Sequence, residues 1–141
     1  MGELDGKVAV ITGAGSGMAK AATQVFVREG ASVLAADVSG REDQTADELG
    51  DAVVAFHCDV TSEADVEAMF AAALDRFGRV DAVLNVAGLG SGGMLADLTL
   101  EEYHRIMAVN LQGVMLGTKH GITALVPSGG GVILNLSLIH I

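Results

Sequence analysis

Short apolar runs and helical stripes alternate along the whole of this chain. Val8 to Ile11 is an unbroken apolar run, the pattern of a strand buried on both faces. After Gly17, the residues Met18, Ala21, Ala22, Val25 and Phe26 recur at helical spacing and predict a helix with that face inward, ended by Gly30. Ser32 to Ala36 predicts a second strand, and Ser39 and Glu42 are spaced as a capping box for a short polar helix ending near Leu49. Ala52 to Phe56 predicts the third strand. Ser62 and Asp65 then cap a helix whose apolar face is Val66, Met69, Phe70, Ala73, Leu74 and Phe77, stopped by Gly78. A fourth strand, Val80 to Asn85, leads into a glycine-rich loop from Gly88 to Gly93. Thr99 and Glu102 cap a long helix reaching about Ala124, Pro127 and Gly129 to Gly131 break the chain, and Val132 to Leu136 predicts a fifth strand. The order β-α-β-α-β-α-β-α-β predicts an α/β fold of βαβ repeats, a doubly wound parallel sheet incomplete at the C-terminus.

Composition narrows the picture. One domain over 1–141 is expected, long enough to bury roughly two thirds of its unfolded surface. Half the residues are hydrophobic and 4% aromatic, which predicts a core of Val, Leu, Ile and Ala. A formal net charge of -10 disfavours nucleic acid as a partner, because phosphate backbones are held by clustered Lys and Arg. The single cysteine, Cys58, allows no internal disulfide. The polar N-terminus and the absence of an apolar run of about 18 residues predict a cytoplasmic protein without a membrane span.

The chemistry concentrates where the first strand meets the first helix. In Thr12-Gly13-Ala14-Gly15-Ser16-Gly17-Met18-Ala19, Gly13 permits a tight turn and Gly17 lets backbone approach a pyrophosphate, while Ser16 offers a hydroxyl. Met18 stands where the third glycine of G-x-G-x-x-G would fall. Asp37, at the end of the second strand, is placed to accept both hydroxyls of an adenosine ribose and to repel a 2′-phosphate, which favours NAD over NADP. Arg41 nearby softens that preference. Taken singly, the turn also reads as an ordinary strand-to-helix loop and Asp37 as a solvated turn residue; together they favour a dinucleotide.

With these residues in place the chain resembles the short-chain dehydrogenase/reductase family, whose fold is Rossmann-like. The glycine turn is similar to the family's T-G-x-x-x-G-x-G, with Ala19 for the last glycine. Asp59-Val60 resembles the pair that contacts adenine. Asn85-Val86-Ala87-Gly88 resembles N-N-A-G, with Val86 for the second asparagine. Val109-Asn110-Leu111-Gln112-Gly113 resembles the region of the catalytic asparagine, and Gly129 to Asn135 the approach to the catalytic serine. The resemblance implies hydride transfer between a nicotinamide and a small alcohol or carbonyl, a Gly13, Ser16, Gly17, Met18, Asp37, Asp59, Val60, Asn85, Ala87 and Gly88 cofactor site, Asn110 as a catalytic residue, and a parent homodimer or homotetramer.

Other parts of the family pattern are missing. Tyr103 is the sole tyrosine, and Met107 follows it where Y-x-x-x-K needs lysine. Ser137 matches the family's first serine and Leu138 takes the place of the catalytic one; a leucine donates no hydrogen bond to a substrate oxygen. Leu136-Ser137-Leu138-Ile139-His140-Ile141 can be encoded by CTG TCT CTT ATA CAC ATC, a transposon end used in sequencing-library preparation, so 136–141 is expected to be a non-native tail. The expectation is therefore a catalytically incomplete cofactor-binding portion of an NAD-dependent oxidoreductase. The competing readings are a non-catalytic dinucleotide-binding module and a methyltransferase-like fold, which Asn85 to Gly88 and Asn110 disfavour. His57 and Cys58 have no second pair at zinc spacing, so no metal is expected. Met94 and Leu95 fall where family members place substrate contacts. The fifth strand, apolar and without proline or charge, is expected to be an exposed edge prone to self-pairing.

Overall fold

The computed structural model describes residues 2–137. Its strands are β1 (Val8–Thr12), β2 (Ser32–Asp37), β3 (Val53–His57), β4 (Ala82–Asn85) and β5 (Val132–Asn135). Its α-helices are α1 (Gly17–Arg28), α2 (Arg41–Leu49), α3 (Glu63–Phe77), α4 (Leu100–Met107) and α5 (Val114–Leu125). All strand pairs are parallel, in the order β3-β2-β1-β4-β5. The chain winds outward from β1 to β3, then returns to place β4 on the other side of β1. That reversal opens a crevice at the carboxyl ends of β1 and β4. Residues 138–141 of the expected tail, Leu138 among them, lie outside the described residues; at the start of that tail the Leu136 amide donates to Asn85 O at 3.1 Å and extends the β4–β5 pairing.

Side chains alternate across the sheet, so two cores form. Val10, Leu34 and Val83 point to one face and pack with Val66, Met69 and Phe70 of α3 and Leu116 of α5. Ala9, Ile11, Val33 and Leu84 point to the other and pack with Ala19, Phe26, Ala46 and Leu49 of α1 and α2. Burial of each Val or Leu contributes about 1.5–3 kcal/mol, so the central strands dominate the stability.

Several local expectations are corrected. The inward face of α1 is Ala19 and Thr23, flanked by half-buried Ala22 and Phe26, whereas Met18, Ala21 and Val25 face solvent. Thr23 is admitted because its hydroxyl donates to Ala19 O at 2.9 Å, which satisfies it inside the helix. Ser39 and Glu42 make no capping box. The cap position of α2 is Gly40, at φ +80°, and Glu42 is turned inward and buried. The long helix starts as expected, with the Thr99 hydroxyl accepting from the Glu102 amide at 3.1 Å, but Ala108–Gly113 is a π-helical turn between α4 and α5. There Gly113 meets Val60, whose Cγ2 would lie 2.8 Å from an added Cβ. The Ser62 cap and the Gly78 stop of α3 are as expected, with Val66, Met69, Phe70 and Ala73 buried. Strands β3 and β4 begin one and two residues later than their patterns suggest.

Asp81, just before β4, ties the amino ends of the sheet together. Its carboxylate accepts from the Val8 amide at 3.0 Å and from Arg79 Nε at 2.8 Å. Burial pushes this carboxyl up, but the Arg79 guanidinium, the Val8 amide and the Lys7 charge outweigh it and hold it below the usual range. A depressed folded-state pKa contributes stability above the unfolded value, about 3.9, which is lost as pH falls through the folded one. Asp81→Asn is therefore expected to flatten the acid limb of stability against pH, measured by denaturant titration between neutral pH and strong acid.

Among the described strands β5 pairs only with β4, and Val132 and Leu134 are exposed. The 141-residue chain is expected to self-associate through this edge. Light scattering checks it, a sharp monomer peak with cooperative thermal unfolding being the contrary result.

Candidate functional site

A cleft of about 430 Å³ lies at the crevice. Of the residues expected at the cofactor site, Gly13, Ser16, Gly17, Met18, Asp37, Asp59, Val60, Ala87 and Gly88 line it. The glycines of the turn have separate reasons. Gly13 has φ +75°, and an added Cβ would sit 3.0 Å from Ala87 Cα and N, so the position demands glycine twice. Gly17 has φ +55° and open space beside it, so its backbone stays accessible from the cleft. The first bond of α1 runs from the Lys20 amide to Ser16 O at 3.1 Å. The amides of Gly17, Met18 and Ala19 therefore have no intrahelical acceptor, and with the helix dipole they form a cradle for an anion.

Asp37 lines the same cleft. Its Oδ2 accepts from the Gly15 amide at 2.9 Å and its Oδ1 from the Ser39 amide at 2.9 Å. Burial raises its pKa, but hydrogen bonds from Ser39, Gly15 and Val38 outweigh that effect and hold the carboxyl below its usual range. Gly15 is a site residue that motif reasoning passed over. A Cβ there would lie 3.0 Å from the Asp37 carboxylate and from Arg41 Cβ, so its signal is contact with a residue far along the chain.

Thr12 was also passed over as more than a motif letter. Its Oγ1 accepts from the amides of Val86 and Ala87 at 3.1 and 3.2 Å, joining the end of β1 to the loop after β4. Thr12→Val is expected to leave two half-buried donors without their partner and to destabilise by about 1–3 kcal/mol in total, because water reaches both in part. Urea denaturation measures this, and a shift under ~0.5 kcal/mol would contradict it.

Asn85 does not line the cleft. It lies buried beneath it, with Nδ2 donating to Asn135 Oδ1 at 2.8 Å. Asn110, in the π-helical turn, holds the cleft wall instead of facing into it. Its Oδ1 accepts from the Leu89 amide and its Nδ2 donates to Leu89 O, both at 2.8 Å. Asp59 caps its own turn by accepting from the Thr61 amide and hydroxyl at 2.9 and 2.7 Å. Met94 and Leu95 are exposed and outside the lining, as is Tyr103 on α4. Cys58 lines the cleft, but burial and the nearby charges of Asp65 and Asp59 push its thiol up to about 12, so it is unreactive at neutral pH. Among the described residues no three His, Cys, Asp or Glu side chains are grouped to hold a metal, and no helix is long and apolar enough to cross a membrane.

The parallel doubly wound sheet, with a glycine turn at its point of reversal, defines the Rossmann-like class. Residues 7–139 match the family model described as short chain dehydrogenase, and the chain belongs to that family. It is 40% identical to momilactone A synthase of Oryza sativa subsp. japonica, over 94% of this chain and 50% of that protein. It is also 40% identical to the mitochondrial borneol dehydrogenase of Lavandula x intermedia, over 94% of this chain and 51% of that protein. A 3-ketoacyl-(acyl-carrier-protein) reductase from Brucella melitensis, solved in complex with NADH, superposes with TM-score 0.88 at 40% identity, covering 90% of this chain and 53% of that one. A short chain dehydrogenase/reductase from Burkholderia phymatum, solved with NAD, gives TM-score 0.88 at 37% identity, covering 94% and 49%. The chain thus spans about half the length of the relatives it matches.

Proposed function

We propose that this cleft binds NAD and that the chain is the cofactor-binding domain of an oxidoreductase that moves hydride between a nicotinamide and an alcohol or carbonyl substrate. The observation that carries this is Asp37: an ionised carboxylate at the end of β2, lining the same cleft as the free amides that open α1. Gly17, Met18 and Ser16 would hold the diphosphate. Asp37 would take the adenosine ribose, and its charge favours NAD over NADP. Asp59 and Val60 would flank the adenine, and Ala87 and Gly88 would line the path toward the nicotinamide. Asn110 would act in catalysis through the position its turn holds. Two solved family members, one with NADH and one with NAD, support the choice of ligand.

The reading extends to a single domain over the chain, a cytoplasmic location and a homodimeric or homotetrameric parent. The sole tyrosine is followed four residues later by Met107, so the 141-residue chain is expected to bind without turning over. Calorimetry with NADH, NADPH and S-adenosylmethionine tests the proposal. Uptake of NADH ahead of NADPH, with none of S-adenosylmethionine, is the expected result. Absence of nicotinamide nucleotide binding, or turnover of an alcohol by the purified chain, would overturn the corresponding part.

A further inference from the structure

Helix α2 contributes one part of the cleft wall through Arg41, and the segment after β3 contributes another through Cys58 and Asp59. The residue next to Arg41 is Glu42, and the residue next to Cys58 is His57. Glu42 is 2% exposed. Its Oε1 lies 3.1 Å from His57 Nδ1, and its buried Oε2 has no hydrogen-bond partner among the described residues. A carboxylate so placed is costly, and an apolar side chain of similar size is often as stable or more so. The other inward residues of α2, Thr45, Ala46 and Leu49, are apolar or hydrogen-bonded; the Thr45 hydroxyl donates to Ala14 O of the glycine turn at 3.0 Å. Stability therefore gives no reason for glutamate at 42, and its location does.

We propose that Glu42 and His57 are positioning residues that tie α2 to β3 and so set the spacing of these two parts of the wall at the adenosine end of the cleft. The inference rests on the dinucleotide reading above. Thr45 pins α2 to the glycine turn, and Glu42 pins it to β3. Between them Arg41 and Ser39 are held in register with Asp37, which already bonds the Gly15 and Ser39 amides. Loss of the tie lets the first turn of α2 move and loosens the grip on the adenosine half while the core is kept.

The test uses ADP-ribose calorimetry, thermal unfolding and amide hydrogen exchange on the chain and three variants. Glu42→Leu is expected to unfold at the wild-type temperature or higher, yet to bind ADP-ribose roughly tenfold more weakly. His57→Ala, at an exposed residue that tolerates truncation, is expected to lose a similar factor. His57→Gln, which keeps an N–H donor for the carboxylate, is expected to recover affinity to within about threefold of wild type. Wild-type affinity in Glu42→Leu and His57→Ala would overturn the proposal, as would equal losses in His57→Ala and His57→Gln. Should wild type itself fail to bind ADP-ribose, the dinucleotide reading falls, and exchange at the Gly15 and Ser39 amides decides the tie alone. Faster exchange in Glu42→Leu supports it, and unchanged exchange removes it.

Discussion

Asp37→Ala is expected to weaken NADH binding by about ten- to a hundredfold, the equivalent of roughly 1.5–3 kcal/mol for hydrogen bonds to a charged group. Each carboxylate oxygen already accepts one backbone amide, from Gly15 or Ser39, and has a further acceptor site to offer a ribose hydroxyl. Alanine removes the sugar contacts and also frees the two amides that shape the glycine turn, so the effect exceeds that of a surface charge. Asp37→Asn keeps the shape and removes the charge. It is expected to lose less NADH affinity and to narrow the preference over NADPH, because the repulsion of a 2′-phosphate is gone. The carboxyl lies below its usual range, so this contribution is constant at neutral pH and is lost only as pH falls through that depressed value. Calorimetric titration of the three proteins with both nucleotides measures all of this. Equal affinities across the series would remove Asp37 from the site.

Gly117→Val is expected to damage the fold severely. Gly117 faces the sheet from α5, and a Cβ there would overlap the buried Asn85 side-chain oxygen. Asn85 is in turn fixed by its bond to Asn135 on β5. The clash cannot be relieved by a solvent-exposed chain end, so α5 must lift from β4 or the amide pair must break. Overpacking of this kind costs about 1–3 kcal/mol, and a broken buried amide pair adds about 1–3 kcal/mol more. Against a total stability of about 5–15 kcal/mol, the variant is expected to unfold many degrees below wild type or to be recovered insoluble. Gly117→Ala with Asn85→Ala relieves the overlap and is expected to recover part of the loss. Thermal unfolding followed by circular dichroism measures both.

Much of this was legible in local pattern. The apolar run of β1, the Ser62 and Thr99 caps and the turn and helix-stop glycines at 13, 30 and 78 are short-range features, and each was found where its spacing put it. The cleft was legible for the same reason. A glycine turn and an acid at the end of the next strand are both local, and parallel pairing of β1 with β2 brings Thr12 opposite Ala36, beside Asp37. What failed were residues whose partners are remote. Glu42 is spaced as the capping partner of Ser39, yet it is buried and meets His57 on β3. The π-helical turn carries the close approach of Gly113 to Val60 and the bond of Asn110 to Leu89, neither visible from helical spacing.

By itself, then, the sequence determined the succession of strands and helices, their parallel winding, and the turn with its acid, because hydrophobic period and glycine conformation act within a few residues. Tertiary structure alone decided which side of α1 faces the sheet, that Asn85 supports β5 beneath the cleft while Asn110 braces its wall, and that a buried carboxylate joins α2 to β3. Those outcomes depend on donors and acceptors that meet only after the sheet is assembled, where a polar group is either matched across the fold or left costly inside it.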